Sequence, residues 1–355
     1  MRTLTGVLGA AALAVPLAVA APAVAAPRLP ASDWRVSVTD ADQSLRGLDA
    51  VDRETAWVSG GSVSGGSGGV FRTTDGGATW EDVSPPDAEG LGFRDVEARS
   101  ATEAVVLSIG EGEASRIYRT TDGGATWSEA FRNAEPAAFY NCLDFYPGGR
   151  VGLAVSDPVD GRFRIARTTD GGRSWEPLPD DGMPDSTGEF NYSASGDCLT
   201  IRGNDAWFGS GGAAARVYHS RDRGLTWRAS DAGVATGEAA GVFALAFRTP
   251  REGVVVGGDF AAPAPGTSSR TRDARTWSAS STLPALGEDA AWVSGASRTV
   301  LAVGEAGDVG GTAISRDGGR TWSSYSSQAF HTLDCTRDGS CWAAGSGGRV
   351  GVLAR

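Results

Sequence analysis

The chain contains no lysine; all 32 of its cationic side chains are arginine. That removes Schiff-base chemistry and any lysine nucleophile. Only two histidines occur, His219 and His331, which excludes a histidine-rich metal centre. The net charge is −11 and no basic block interrupts the sequence, so neither nucleic acid nor an anionic membrane surface is an expected partner. After the first residues, no apolar run approaches the ~18 residues of a membrane span, so membrane insertion is not expected. No G-x-G-x-x-G in a βαβ setting, no haem C-x-x-C-H and no Cys/His cluster is present. The sequence therefore implies no cofactor and no metal, and an oxidoreductase reading has no motif to rest on.

What the chain does have is glycine, 51 of its 355 residues, together with 11 tryptophans. This combination suits many tight turns between short strands anchored by aromatics. Residues 1–25 read as a signal peptide: one early charge, Arg2, an apolar run, and an A-x-A ending at Ala23-Val24-Ala25. The mature chain, 26–355, is accordingly expected to be secreted and monomeric. Export permits disulfides among Cys142, Cys198, Cys335 and Cys341. Cys335 and Cys341 flank a short turn and form the first-choice pair. Cys142 and Cys198 sit at matching positions of adjacent repeats, and their pairing stays open because adjacent inner strands could lie too far apart.

The nonapeptide RTTDGGATW occurs twice, at 72–80 and 119–127. Variants bring the motif to six copies, with Asp/Trp pairs Asp75/Trp80, Asp122/Trp127, Asp170/Trp175, Asp222/Trp227, Asp273/Trp277 and Asp317/Trp322. The fifth copy is one residue shorter and degenerate, so its turn is expected to be irregular. Steps between the tryptophans are 47, 48, 52, 50 and 45 residues, a period that signals a propeller or solenoid. The aspartate accepts turn N–H groups, and the second glycine allows positive φ. The tryptophan is expected to start the next strand and to bury its ring between neighbouring sheets. On this reading the copies are structural staples, one per blade, and not six catalytic or Ca²⁺ sites.

The pattern S/T-x-D-x-G-x-T-W resembles the Asp-box, or BNR repeat, of sialidases, two-domain xyloglucanases, sortilin-type receptors and Ycf48-type photosystem II assembly factors. The resemblance spans the mature chain and implies a β-propeller. In whole-chain layout it is nearest to the Ycf48-type factors, which have one propeller and no catalytic constellation.

Each repeat holds four strand-like runs, A to D, with A innermost. Seven A-strands can be counted (RGLDAV, RDVEA, NCLDF, DCLTI, FALAF, AAWVS and HTLDC) against six staples. The seventh repeat lacks a D-strand, and ASDWRVSV (31–38) supplies one, with Trp34 standing in for the staple tryptophan. The expected fold is all-β: a single seven-bladed propeller closed by its N-terminal strand. Trp57, Trp207, Trp292 and Trp342 remain for the blade cores.

Propeller geometry puts the A–B and C–D turns on one face and the D–A and B–C loops on the other, around the channel mouth. Function is expected on the latter. There the A-strands begin with Arg46, Arg94, Asn141, Asp197, Phe243, Ala290 and His331. Arg46, Arg94, Asn141 and His331, with Tyr140 and Phe260 as aromatic walls, form the candidate ligand site, the arginines holding an anionic group. The competing structural reading pairs the arginines with Asp95, Asp289 or Asp334. The long connections 176–196, 60–69 and 257–269 read as solvated loops.

The expected function is a binding or assembly module for a protein, peptide, glycan or small anionic ligand, and the sequence leans away from an enzyme. The alternative is an exo-acting, sialidase-like glycoside hydrolase. Against it, the only string near a sialidase FRIP is FRIA (163–166), and a third arginine and a Tyr–Glu pair cannot be assigned. Glu111, Asp157, Asp160, Asp259 and Glu305 fall at B–C loops, but no facing pair is indicated.

Overall fold

A computed structural model describes Met1 and residues 33–353. The signal-peptide reading therefore lies almost wholly outside the described residues. Seven antiparallel sheets follow one another along the chain. Their inner strands are Gln43–Ala50, Gly92–Ala98, Tyr140–Phe145, Leu199–Arg202, Gly237–Phe247, Asp289–Trp292 and Thr332–Cys335, the seven segments expected from sequence. The arrangement is a seven-bladed β-propeller. In the seventh blade Arg35–Val38 pairs antiparallel with Arg349–Leu353, so the two chain ends share one sheet. Trp34 then packs edge-on against Phe330 at 5.2 Å between ring centres, and its indole N–H donates to Thr312 Oγ1 of blade six.

The repeated turn works through hydrogen bonds. Asp75 Oδ1 accepts from Thr73 Oγ1 and the Thr79 N–H, and Oδ2 accepts from Thr79 Oγ1 at 2.6 Å. The Thr79 hydroxyl bond, followed by the Thr79 N–H and the Thr73 hydroxyl, holds the Asp75 carboxyl down at about 2. The short fifth copy keeps the same scheme. Thr276 Oγ1 donates to Asp273 Oδ2, and Ala274 takes the positive φ, 56°, that glycine takes elsewhere. Its turn is shorter, not irregular.

The staple tryptophans depart from expectation in two ways. None of them starts the outer strand. Those strands begin one residue later, at Glu81, Ser128, Glu176, Arg228, Ser278 and Ser323, so Trp80, Trp127, Trp175, Trp227, Trp277 and Trp322 are the last residues of their turns. The reason is the aspartate, whose carboxylate holds the N–H of the residue before each ring and so keeps the turn closed up to it.

Burial is also unequal. Only Trp175 and Trp227 are buried, whereas Trp80, Trp127, Trp277 and Trp322 are half-buried at the rim of the blade seam. Each ring still packs toward the preceding blade. Trp80 meets Trp342 of blade seven, and Trp127 meets Trp57 of blade one, both edge-on. Trp175 shares a cluster with Val105 and Leu107 of blade two, and Trp227 one with Leu153 and Phe163 of blade three. Trp277 packs against the cluster holding Trp207 and Val217 of blade four, and Trp322 against that holding Val254 and Val256 of blade five.

Polar anchoring divides the six further. The indoles of Trp80 and Trp127 donate across the seam, to Ser37 Oγ and the Val83 carbonyl. Trp227 donates instead to Gly224 of its own turn. The indole N–H groups of Trp175, Trp277 and Trp322 find no acceptor among the described residues. The last four staples therefore act across the seam through apolar contact. Among the tryptophans assigned to blade cores, Trp57, Trp207 and Trp342 are fully buried. Trp292 differs from expectation: it is half-buried at the channel edge, with its N–H donating to the Ala246 carbonyl of blade five.

Adjacent inner strands are joined by carboxylates. Asp334 accepts the Ala50 N–H at 3.0 Å, Asp49 the Ala98 N–H at 2.5 Å, Asp95 the Leu143 N–H at 2.6 Å, Asp144 the Ile201 N–H, and Asp289 the Leu333 N–H at 2.8 Å. Each bond crosses from one blade to the next. Between blades three and four a disulfide reinforces the clasp: Cys142 and Cys198 are bonded, with Cα atoms 5.9 Å apart. The inner strands there are close enough, which answers the question that sequence left open. Cys335–Cys341 is bonded as expected, across the A–B hairpin of blade seven.

Burial pushes the Asp144 and Asp289 carboxyls up to about 7, and raises Asp49, Asp95 and Asp197 as well. A carboxyl raised in the folded state adds stability while it is protonated. That stability is fully present below the ordinary value near 4 and is lost as pH climbs through about 7. The melting temperature should therefore fall between pH 5 and pH 8. Asp144→Asn should lower it throughout but flatten the slope. A wild-type curve level across that interval would remove these carboxyls as the cause.

Closure yields a second prediction. Trp34→Ala removes a large ring from the blade six–seven interface and should cost about 3–5 kcal/mol, as buried aromatic truncations do. Chemical denaturation would measure it, and a cost under about 1 kcal/mol would mean that the N-terminal strand is dispensable.

Candidate functional site

The D–A connection between blades three and four does not run free in solvent. Met183, Ser186, Glu189, Asn191 and Ser195 are buried within it. Glu189–Phe190 pairs with Gly211–Gly212, which in turn pairs with the inner strand of blade five. Glu189 accepts from Ser210 Oγ and Tyr218 Oη and forms an ion pair with Arg216. The 257–269 segment is likewise no loop. Gly253–Asp259 and Ala262–Thr271 make one long hairpin, with Phe260 at its tip.

From Asn191 the chain turns inward and crosses the mouth as a strap. The Asn191 N–H donates to Asp157 Oδ1, and Ser193 Oγ donates to Asn141 Oδ1, both at 2.8 Å. Arg94 donates to the Ser193 carbonyl at 2.8 Å, and Arg46 to the Ala194 carbonyl at 2.7 Å. Ser195 Oγ donates to the Glu288 carbonyl, and the Gly196 N–H to the Arg46 carbonyl. One short segment is thus tied to blades one, two, three and six. Gly196 is required there, because a Cβ would sit 2.5 Å from Asp95 Oδ1.

The candidate residues separate on this geometry. Arg46 and Arg94 do meet at the mouth, but they hold main-chain carbonyls of the strap; Arg46 also lies 3.6 Å from Glu288. Among the described residues neither pairs with Asp95, Asp289 or Asp334. Burial, and then the neighbouring Arg46 charge, lowers the Arg94 guanidinium to about 9. Asn141 is buried and supports the strap. Tyr140 is core, edge-on to Phe131 at 5.2 Å, and forms no wall of the mouth. His331 is not free: it is buried, with Nδ1 2.6 Å from Glu288 and Nε2 2.9 Å from Ser346 Oγ. Phe260 is 57% exposed and lies beside Tyr192, which in turn stacks on the 46%-exposed Phe190. Sequence reasoning missed Glu288, Ser346, Phe190 and Tyr192. The strap's own motif, Asn-Tyr-Ser-Ala-Ser-Gly, reads locally as any polar loop.

Of the carboxylates weighed for glycoside hydrolysis, Asp157 is raised to about 6 by burial, yet it is spent on the Asn191 N–H and the Asn141 amide. Glu305 is paired with Arg349 at 2.6 Å. Among the described residues no group of three or more His, Cys, Asp or Glu could hold a metal.

Below the strap the channel widens into a cavity of about 1150 Å³. It lies among the A–B turns, lined by Phe145, Thr200, Arg248, Trp292, Asp334 and Arg337. This large void therefore faces the stapled side, while the opposite mouth, where a site was expected, is bridged.

The architecture defines the chain as a seven-bladed propeller with a bridged channel. No family model and no curated protein sequence matches it. Solved structures do. A structure described as YCF48 bound to D1 peptide superposes with a TM-score of 0.63 at 16% identity, covering 95% of this chain and 100% of the other. YCF48 from Cyanidioschyzon merolae gives 0.63 at 18% identity, covering 91% and 99%. A chain of a mitotic checkpoint complex gives 0.62 at 15% identity, covering 100% and 99%. At these identities the likeness is one of fold.

If the strap is held as described, Gly196→Val should push it off Asp95 and release the Arg46 and Arg94 contacts. Overpacking of this kind costs about 1–3 kcal/mol. Hydrogen exchange at residues 193–197 should accelerate strongly in this variant. Exchange as slow as in the wild type would show that the strap is not anchored through this contact.

Proposed function

We propose that the chain is a secreted binding or assembly module that takes an extended segment of a partner protein on its loop face, over the bridged channel. The strap is the observation that carries this reading. The mouth already binds a stretch of main chain, two arginines donating to consecutive carbonyls. A carboxylate on the incoming segment is a stronger partner for a guanidinium fork than a neutral carbonyl. Next to the strap stands an aromatic shelf. Tyr192 lies 5.8 Å from Phe260 and 6.3 Å from Phe190, ring centre to ring centre, and its hydroxyl donates to the Glu238 carbonyl. Exposed aromatics on a fixed frame are the side chains that dominate protein interfaces. A propeller of similar fold has been solved with a peptide bound, which supports a peptide as the ligand class. The two disulfides suit an oxidising compartment.

The test is fluorescence polarisation with labelled acidic peptides carrying a free C-terminal carboxylate. Saturable binding is expected, weakened at least about tenfold by Phe190→Ala with Phe260→Ala, two hot-spot truncations of over 1 kcal/mol in total. Because both rings are exposed, the melting temperature should hold. Peptides that fail to bind, or bind equally to the double variant, would overturn the proposal.

A further inference from the structure

Three side chains at the rim of blades six and seven form a line. Glu288 precedes the inner strand of blade six, His331 precedes that of blade seven, and Ser346 opens the B–C turn of blade seven. His331 Nδ1 is 2.6 Å from Glu288 Oε2, and its Nε2 is 2.9 Å from Ser346 Oγ. The order carboxylate, Nδ1, Nε2, hydroxyl is that of a nucleophilic serine with its base and the group that orients the base. With Nδ1–H donated to Glu288, the lone pair on Nε2 faces the serine hydroxyl.

The surroundings suit the chemistry. Glu288 and His331 are buried, while Ser346 is partly exposed, so the nucleophile is reachable and the base is sheltered. Arg46 lies 3.6 Å from the other Glu288 oxygen and offsets its charge. Glu305, 3.8 Å from Nε2, adds a second carboxylate that favours the imidazolium formed when Ser346 loses its proton; its own charge is offset by Arg349 at 2.6 Å. The serine backbone is pinned on both sides: its N–H donates to Glu305, and its carbonyl accepts from Arg349 Nε at 3.0 Å. Ser346 stands in Gly345-Ser346-Gly347-Gly348, where Gly347 and Gly348 have φ of 68° and 63°, a sharp turn that presents the hydroxyl at its shoulder. The partly exposed Arg349 guanidinium, held against the serine carbonyl, places a cation beside the reacting centre, where negative charge develops on an attacked carbonyl oxygen.

We infer that Ser346, His331 and Glu288 form an acyl-transfer site that hydrolyses carboxylic esters at the channel mouth. Ser346 Oγ attacks the ester carbonyl carbon as its proton passes to His331 Nε2. The C–O bond to the leaving alcohol breaks, and the alcohol departs with that proton, leaving an acyl-serine. Water then adds to the acyl carbon, giving its proton to Nε2. Loss of Ser346, which takes the proton back, releases the carboxylic acid. Glu288 is a positioning residue that holds the tautomer.

The full chain treated with a fluorophosphonate probe should acquire one covalent adduct, on the peptide containing Ser346, and should release p-nitrophenol from p-nitrophenyl acetate with saturation. Ser346→Ala should abolish the adduct and lower turnover by about a thousandfold or more. This is the deciding variant, because a partly exposed turn serine can be replaced without loss of the fold, checked by an unchanged melting temperature. Glu288→Gln should lower kcat by at least about a hundredfold with little change in KM, a split that a merely structural carboxylate would not produce. A wild-type chain that takes no adduct at Ser346, or a Ser346→Ala chain that hydrolyses the ester as fast, would overturn the inference. Small esters probe the site whether or not acidic peptides bind the aromatic shelf, so the two proposals fail separately.

Discussion

Apart from the short pairing of Gly211–Gly212 with the inner strand of blade five, the radially arranged sheets share no strand ladder with their neighbours, so something must fix each inner strand against the next. Here a carboxylate does it. An aspartate on one inner strand accepts a main-chain N–H of the following blade at the interfaces of blades seven and one, one and two, two and three, three and four, and six and seven. An acceptor of this kind fixes height as well as distance, which apolar packing between sheets does not do. The cost is a crowd of acids around one channel. Burial, joined for several of them by mutual repulsion, raises these carboxyls, Asp144 and Asp289 to about 7, as for any set of like charges in one cavity.

Blades four and five depart from this pattern, and the strap ends where they meet. The position that holds Asp49 and Asp144 in blades one and three holds Thr200 in blade four and Ala246 in blade five, so neither strand offers a carboxylate there to the blade that follows. The link from blade four is instead main chain to main chain, the Leu245 N–H to the Asp197 carbonyl. Asp197 ends the strap. The segment that crosses the mouth is therefore held at one end by this contact and the adjoining Cys142–Cys198 disulfide, and at the other by Asn191, which donates to Asp157 of blade three and to the Gly209 carbonyl of blade four. Bridging one mouth leaves the channel open toward the stapled turns, where the large cavity lies.

The period, the seven inner strands and the N-terminal closure were legible because each rests on local pattern. A staple needs Asp, Gly and Trp at fixed spacing, and an inner strand is a short apolar run. How deeply each staple ring sinks was not legible. Trp175 and Trp322 stand in closely similar boxes, yet the first is buried and the second half-buried, because depth depends on the neighbouring blade and not on the box. Arg46, Arg94 and His331 were legible as residues of the mouth, since their place follows from blade register. Their partners were not. Ala194 lies 148 residues from Arg46, and Ser193 lies 99 from Arg94, and nothing in a polar loop sequence says where it folds. The 257–269 segment misled for a different reason: its glycines and prolines read as loop, yet pairing along the blade-five hairpin supplies the hydrogen bonds that composition alone would assign to water.

The polar cluster at blades six and seven invites comparison with blade five, which is built from the same repeat. At the corresponding level blade five packs Phe243 and alanine, so an apolar solution is available to this fold and is used in it. A buried ionic or polar group contributes little net stability over a well-packed apolar one, because desolvation offsets its attraction. Glu288, His331, Glu305 and Arg349 thus occupy a place that alanine, leucine and phenylalanine could fill at least as stably. The imidazole has the Glu288 carboxylate on one nitrogen and, on the other, the hydroxyl of the partly exposed Ser346, with Glu305 3.8 Å away.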